Sequence, residues 1–335
     1  MSAKKILILS FLIFFSSLIF SQSIDSTYAE KLGYPKGSRV VILHVDDLGM
    51  SFDSNEGAIN AMTKGVANSC SVMMTCPWAP GFIHYWKEHK NMDAGLHLTL
   101  TSEWKEYRWG PLSGKQNVKG LTDDEGALWP LVADVIKHAT ADEVEQEIKA
   151  QLERARSMGF EPTHLDTHMG TLLATPAFAE RYVKLGIANK IPVMLPAGHA
   201  TIIKEQMKAS DALIQQMRFA GKILWNSGLP VIDDLNNGTY GWSIPKEFWN
   251  DDKKIQAYKT LRYIASLKDI KPGITMIIMH CTSPSTIFQH ITDSGPTRKG
   301  DMLAMMDPSF KKALQDEGII LATWRELKER RDKIK

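Results

Sequence analysis

The sequence predicts an α/β fold in which one (β/α) barrel-like domain spans residues 23–335. Short apolar runs alternate with amphipathic segments along most of the chain, and this alternation is typical of a mostly parallel sheet covered by helices. About eight candidate strands in roughly 310 residues suit a closed or nearly closed barrel better than two domains. A doubly wound open sheet is the alternative.

Residues 1–22 are predicted to be a signal peptide. Lys4 and Lys5 precede an apolar run over residues 6–20, which ends in two polar residues, and secretory signals share this order of charged, apolar and polar regions. We therefore expect a secreted or periplasmic protein with no stable membrane association after cleavage. A retained signal anchor is the alternative, because the usual small-residue cleavage pattern is absent.

Each predicted strand is a short apolar run bounded by polar or turn residues. The first, "RVVILHVDDLG", is apolar until it reaches two adjacent carboxylates and a glycine. The predicted strands are residues 39–46, 69–76, 93–100, 163–168, 191–195, 229–233, 273–280 and 318–323.

The predicted helices are amphipathic segments, several of which begin at Asp, Ser or Thr and end near Gly. The clearest follows Thr140, has acidic residues in its first turn and basic residues in its last, and stops at Gly159. The predicted helices are residues 53–64, 141–158, 175–189, 199–222, 253–268 and 308–316.

Two aromatic-rich segments, residues 101–130 and 234–250, follow predicted strands. In a barrel these loops form the face on which sites are built, and exposed aromatic side chains there can stack on a sugar ring. The alternative is that these aromatics pack the loops against the barrel and that the neighbouring aspartates form a surface turn. The candidate substrate contacts are Trp104, Trp109, Trp242 and Asp233.

Charge and cysteine content exclude some partners and bonds. The chain has 40 Lys and Arg residues against 38 Asp and Glu residues, and two of the lysines lie in the signal segment. The mature net charge is therefore near zero, so nucleic acid and anionic membranes are not expected partners. Cys70 and Cys76 fall in one predicted strand, too far apart to be bridged, and we expect free buried thiols.

Four predicted strands carry Asp or His near their carboxyl ends, where the ends of parallel strands meet. These residue types are the usual ligands and acid–base groups of metal-assisted hydrolases. The set comprises Asp46 and Asp47, His97, the alternating His164, Asp166 and His168, and His280.

Asp46 and Asp47 raise a specific problem, because adjacent carboxylates repel each other in a low-dielectric site. A divalent cation would remove that penalty. Side chains alternate along a strand, so we expect the two to point to different faces, one toward a metal and one toward the substrate. His44 lies on the same strand face as Asp46, and both a core role and a supporting role stay open for it.

These motifs resemble those of the YdjC-like carbohydrate deacetylases, which include the chitooligosaccharide deacetylases. "VDDLGMS" is similar to the family's ADDFG-S segment, "AGLHLTLT" to its GLHLxLT, "PTHLDTHMG" to its THLDSHHH and "IIMHCTS" to its MCHPG. The tail "TRKGDMLAMMDPSFKKALQDEGIILATWREL", which contains Arg298, also resembles the family's closing segment. The resemblance spans about residues 39–327.

The resemblance implies a (β/α) barrel-like fold related to the glycoside hydrolase and deacetylase barrels, with one divalent metal ion, Mg or Zn. It places the metal ligands at Asp47, His97 and His168, the catalytic base at Asp46, a second catalytic group at His280 and a substrate contact at Arg298. His164 and Asp166 share a strand face with His168, so we expect them to orient that ligand or the base, with interior packing as the alternative.

The implied activity is hydrolysis of the C–N bond of a linear amide. Asp46 would take a proton from water, and His280, as imidazolium, would stabilise the oxyanion or protonate the leaving amine. Residues 169–172 replace histidines of the family with "MGTL", so we expect the aromatic loops to bind an N-acetylated or O-acetylated oligosaccharide. A secreted metal-dependent glycosidase or phosphoesterase and a non-catalytic carbohydrate-binding barrel are alternatives. Whether the chain is a homodimer stays open.

Overall fold

The computed structural model describes residues 26–334, so the predicted signal peptide lies outside the described residues. Its centre is a sheet of seven parallel strands in the order β4-β3-β2-β1-β6-β5, with β7 also paired to β1. The strands are β1 Arg39–Leu48, β2 Ser69–Val72, β3 Ala94–Leu98, β4 Leu165–Thr167, β5 Asp234–Asn236, β6 Gly273–Met279 and β7 Ile320–Leu321.

Helices follow most strands and cover the sheet, as predicted for β/α alternation. Their bounds are α1 Tyr28–Lys31, α2 Phe52–Thr63, α3 Ala79–Glu88, α4 Val132–His138, α5 Ala141–Ser157, α6 Pro176–Asn189, α7 Thr201–Met207, α8 Asp211–Asn226, α9 Asp252–Ser266, α10 Gly295–Met305, α11 Pro308–Asp316 and α12 Trp324–Asp332. Among residues 26–334, no helix combines the length and the apolar character that a membrane crossing requires.

β1 lies at the centre of the sheet because it is apolar on both faces. It pairs with β6 from Arg39 to Val45, and its carboxyl half pairs with β2. Every residue from Val40 to Leu48 is buried, as expected for a parallel strand covered on both sides. The buried run therefore delivers Asp46 and Asp47 to the carboxyl edge of the sheet.

The sheet curves into a half-barrel whose remaining gap is crossed by isolated bridges. Leu165 in β4 bridges to Val193, and Pro196 bridges to Ile232, just before β5. The prediction of full strands over 191–195 and 229–233 is thus wrong. These segments contribute single bridges, yet they complete the nearly closed arrangement that the strand count predicted.

Other differences are local. The predicted helix over 199–222 is two helices, because Lys208 adopts a left-handed conformation with φ of 50° and Ser210 caps a new helix. The predicted strand 69–76 ends at Val72. Cys70, Cys76 and Cys281 are buried free thiols, as expected.

Asp233 lies at the amino edge of the sheet, opposite the carboxyl edge that carries Asp46 and Asp47. Its buried carboxylate accepts hydrogen bonds from the backbone N–H groups of Tyr28, Ala29 and Ile274, and Ile274 is the second residue of β6. The prediction that Asp233 contacts substrate is therefore wrong, because this carboxylate ties α1 to the amino edge of the sheet.

Candidate metal centre

The Asp46–Asp47 pair reaches a single cluster rather than two faces of the sheet. Asp47 has φ of 67°, a conformation that is rare outside glycine, and the register of β1 against β2 shifts between Val45 and Leu48. The strand alternation is broken here, so both carboxylates lie 4.0 Å from Nε2 of His280. The expectation that Asp46 and Asp47 point to different faces is wrong.

Three ligand-type atoms form a nearly equilateral triangle at this edge. Oδ1 of Asp47 lies 3.4 Å from Nε2 of His97 and 3.4 Å from Nδ1 of His168, and the two nitrogens are 3.3 Å apart. All three side chains are buried, and Asp47 Oδ1 has no hydrogen-bond partner among the described residues. These are the three residues that the family resemblance placed as metal ligands.

The triangle fits a metal ion. An ion with bonds of about 2.0–2.1 Å holds neighbouring ligand atoms roughly 3.0–3.4 Å apart. The observed edges of 3.3–3.4 Å lie in this range. A buried carboxylate oxygen without a donor and two imidazoles facing it also form the donor set that zinc prefers.

A second layer of carboxylates orients the two histidines. Nδ1 of His97 lies 2.6 Å from Oδ1 of Asp166, and Nε2 of His168 lies 3.0 Å from Oε2 of Glu103. Each acid accepts a hydrogen from one ring nitrogen and so leaves the other free to bind a metal. Asp166 therefore orients His97, whereas the sequence predicted that it orients His168 or the base. Glu103 was missed, although it is an acid six residues beyond His97.

Arg298 forms an ion pair with Asp47 at the edge of the cluster. Its buried guanidinium lies 2.7 Å from Oδ2 of Asp47 and packs near the rings of Trp104 and Tyr240. The substrate contact predicted for Arg298 stays a prediction. The ion pair fixes the Asp47 carboxylate with Oδ1 turned toward the two histidines.

The charged groups of the cluster favour a bound positive charge, as the pKa shifts of three residues indicate. Burial alone raises the pKa of Asp47, but Arg298, His168 and His97 outweigh it and hold that pKa well below its usual range. Burial lowers the pKa of His168, yet Glu103 and Asp47 outweigh it and raise the pKa to about 9. Against the same effect of burial, Asp166 and Asp46 raise the pKa of His97 well above its usual value.

His280 sits at the open side of the cluster. Its backbone N–H donates to Asp301, and its ring packs against the exposed Tyr240 with centroids 5.0 Å apart. Burial lowers the pKa of His280, and the opposing influence of Asp47 does not restore it. A lowered pKa favours the neutral imidazole, whereas the sequence predicted an imidazolium.

His164 lies behind Asp166 and away from the triangle. Its ring stacks on Trp324, with centroids 5.2 Å apart, and its Nε2 is 3.9 Å from Oδ2 of Asp166 without a hydrogen-bond partner among the described residues. His164 therefore packs in the interior of the barrel, the alternative that the sequence left open, and does not orient His168.

The predicted aromatic contacts divide into buried and partly exposed side chains. Trp109 is 4% exposed and donates its indole N–H to the carbonyl of Thr101, so it cannot stack on a sugar. Trp242 packs on the buried ring of Tyr263 in α9. Trp104 is partly exposed above Arg298. Tyr240 is not among the predicted substrate contacts, yet its side chain is 41% exposed, more than that of Trp104.

Fold and site together define an α/β half-barrel protein with a buried aspartate–histidine centre at the carboxyl ends of its strands, the arrangement that metal-assisted hydrolases use. The YdjC-like protein family model matches residues 40–316. The chain belongs to this family, as the motifs predicted.

Relatives named as carbohydrate deacetylases agree with the match. A carbohydrate deacetylase of Thermus thermophilus is 31% identical over 301 residues, which cover 90% of this chain and 97% of the relative. A carbohydrate deacetylase of Brevibacillus brevis is 33% identical over 156 residues, 47% of this chain and 59% of that one.

A solved structure confirms the fold. A protein of Enterococcus faecalis described as a cellobiose-phosphate cleavage protein superposes with a TM-score of 0.67 at 18% identity, over 87% of this chain and 99% of that one. At this identity the likeness concerns the fold alone.

Proposed function

We propose that the protein is a metal-dependent carbohydrate deacetylase that hydrolyses the N-acetyl groups of an oligosaccharide. The observation that carries this proposal is the triangle of Asp47, His97 and His168, with edges of 3.3–3.4 Å, beside the separate carboxylate of Asp46. Two imidazoles and one carboxylate suit zinc better than magnesium. The deacetylase relatives support the reaction class.

When bound by these three ligands, the metal would polarise the acyl oxygen and lower the pKa of water. Asp46 takes the proton of the attacking water. Its carboxylate is not one of the three ligands, yet its Oδ2 lies beside the centre, 3.9 Å from Nε2 of the ligand His97. The water oxygen bonds to the acyl carbon first, and the C–N bond then breaks as the nitrogen takes up a proton.

His280 is placed to deliver that proton. Its Nε2 lies 4.0 Å from Asp46 Oδ2, so a neutral imidazole can receive the proton from Asp46 and pass it to the departing amine. The products are acetate and a free amino sugar.

The substrate is proposed to be larger than a monosaccharide. Tyr240 and Trp104 flank Arg298, with the guanidinium 5.3 Å and 5.6 Å from their ring centroids, and their free faces can stack on sugar rings next to the reacting acetyl group. The apolar run that follows Lys4 and Lys5 further supports a secreted or periplasmic enzyme.

The test is acetate release from a panel of N-acetylated and O-acetylated oligosaccharides by metal-loaded protein, with phosphate and reducing sugar measured in parallel. Acetate release that chelation abolishes and metal restores is the expected result. In Asp46→Asn the bound metal should remain at one per chain while kcat falls by about 10²–10⁴. Wild-type turnover in this variant, or release of phosphate or reducing sugar alone, would contradict the proposal.

A further inference from the structure

A fully buried imidazole, His44, lies behind the proposed base and has no part in the steps above. His44 precedes Asp46 by two residues in β1. Its Nε2 lies 3.1 Å from Oδ1 of Asp46 and 2.8 Å from Oδ2 of Asp166. The ring therefore sits between the base and the carboxylate that orients His97.

The contacts of this ring determine where its hydrogen lies. Nε2 also lies 3.1 Å from Oγ of Ser71, and Nδ1 lies 2.9 Å from Oγ of Ser69. A lone pair at Nε2 would face two carboxylate oxygens and repel both, so Nε2 must carry a hydrogen. That N–H is aimed at Ser71, and the oxygens of Asp46 and Asp166 make off-axis charge contacts beside it.

The charge on His44 follows from the same surroundings. Burial lowers the pKa of His44, but the contacts with Asp166 and Asp46 outweigh burial and raise it to about 9. A protonated ring between two buried carboxylates compensates charges that would otherwise repel each other.

We propose that His44 is a positioning residue that holds the Asp46 carboxylate at the edge of the metal centre through its Nε2 side. With Oδ1 of Asp46 held against His44, Oδ2 of the same carboxylate points to His97 and His280, at 3.9 Å and 4.0 Å. Loss of the ring would leave Asp46 and Asp166 to repel each other and turn the base away from its water. This inference rests on the proposed function, because Asp46 is the base of that reaction.

A rival arrangement uses the same residues. His44, His164 and Asp166 offer ligand atoms within 4.8 Å of one another, a grouping that a second cation could join. The 2.8 Å contact between Nε2 of His44 and Oδ2 of Asp166 instead indicates a charge pair, because a ring nitrogen that carries a hydrogen has no lone pair to offer a cation. Two metal ions per wild-type chain, with one lost in His44→Leu, would overturn the positioning role.

The kinetic test compares two substitutions at one position. His44→Leu removes the donor and should lower kcat by about 10–100-fold, with KM within about twofold and one metal per chain retained. His44→Gln keeps an amide N–H near Asp46 but lacks the positive charge, and it should recover part of that loss. In the Asp46→Asn background, His44→Leu should cost less than about threefold, because it acts through the missing base. Equal losses in both backgrounds, or equal kcat in the Leu and Gln variants, would overturn the proposal.

A spectroscopic test keeps the inference separate from the activity. In ¹⁵N-histidine-labelled, metal-loaded wild type, the His44 signal should report a hydrogen on Nε2, and its shift should change in Asp46→Asn. An unprotonated Nε2, or a shift indifferent to Asp46→Asn, would overturn the proposal even if His44→Leu fails to fold. If no sugar of the panel yields acetate, the proposed function fails, and this spectrum still decides whether His44 holds Asp46.

Discussion

Glu103 is the acid that orients the second histidine of the triangle. We predict that Glu103→Ala weakens metal binding about 10–100-fold, because His168 loses the acceptor that holds its ring and raises its basicity. Glu103→Gln should lose less, since its amide oxygen still accepts the Nε2 hydrogen. Metal affinity measured by competition with a chromophoric chelator checks both variants.

Glu106 provides a matched control for this measurement. It lies on the same loop and is exposed, in contact with Lys105. Glu106→Ala should leave the metal affinity unchanged. Equal affinity in wild type and Glu103→Ala would show that the 3.0 Å contact with His168 has no role in holding the metal.

The loops after β3 and β5 combine packing aromatics with exposed ones. We predict that Tyr240→Ala raises KM for the best oligosaccharide several-fold and lowers kcat less, because stacking away from the acetyl group binds ground and transition states alike. Steady-state kinetics on an oligosaccharide series of increasing length checks this prediction.

Trp109 is the comparison for Tyr240. Its indole is buried with its N–H bound to Thr101, so Trp109→Ala should lower the free energy of unfolding by about 3–5 kcal/mol. Denaturant unfolding of the metal-loaded protein measures that loss. If Tyr240→Ala were destabilising and kinetically silent, the division of these loops into packing and binding aromatics would be wrong.

The charges of the whole centre balance when a divalent cation is counted. One carboxylate belongs to the triangle and three surround it, against two basic groups, and this leaves two negative charges. The carboxylates are Asp46, Asp47, Asp166 and Glu103, and the basic groups are Arg298 and His44. Without a metal, the raised pKa values of His97 and His168 supply two protons instead.

Metal binding should therefore release about two protons per ion below pH 9. The pKa of His168 in the metal-free protein is about 9 and that of His97 is also raised, and both rings must be neutral to bind the ion. Apparent affinity should rise up to roughly 100-fold per pH unit below that range. Calorimetry in buffers of different ionisation enthalpy measures the release. Fewer than one proton at pH 7 would refute this charge balance.

The sequence by itself determined the fold class and most of the residues at the site. Hydrophobic alternation depends on local burial, so strands such as 273–279 were predicted within a residue or two. Asp46, Asp47, His97, His168 and His280 were found because parallel strands bring their carboxyl ends to one edge, whatever the loops between them do.

Only the tertiary structure decided what each side chain contacts. The left-handed φ of Asp47 overrides strand alternation, and Glu103 reaches His168 across 65 residues of sequence. Asp233 and Asp46 look alike as acids near strands, yet one binds backbone amides at the amino edge and the other lies at the carboxyl edge. Burial, register and partners arise from segments distant in the chain, so no local pattern could distinguish a packing residue from a functional one.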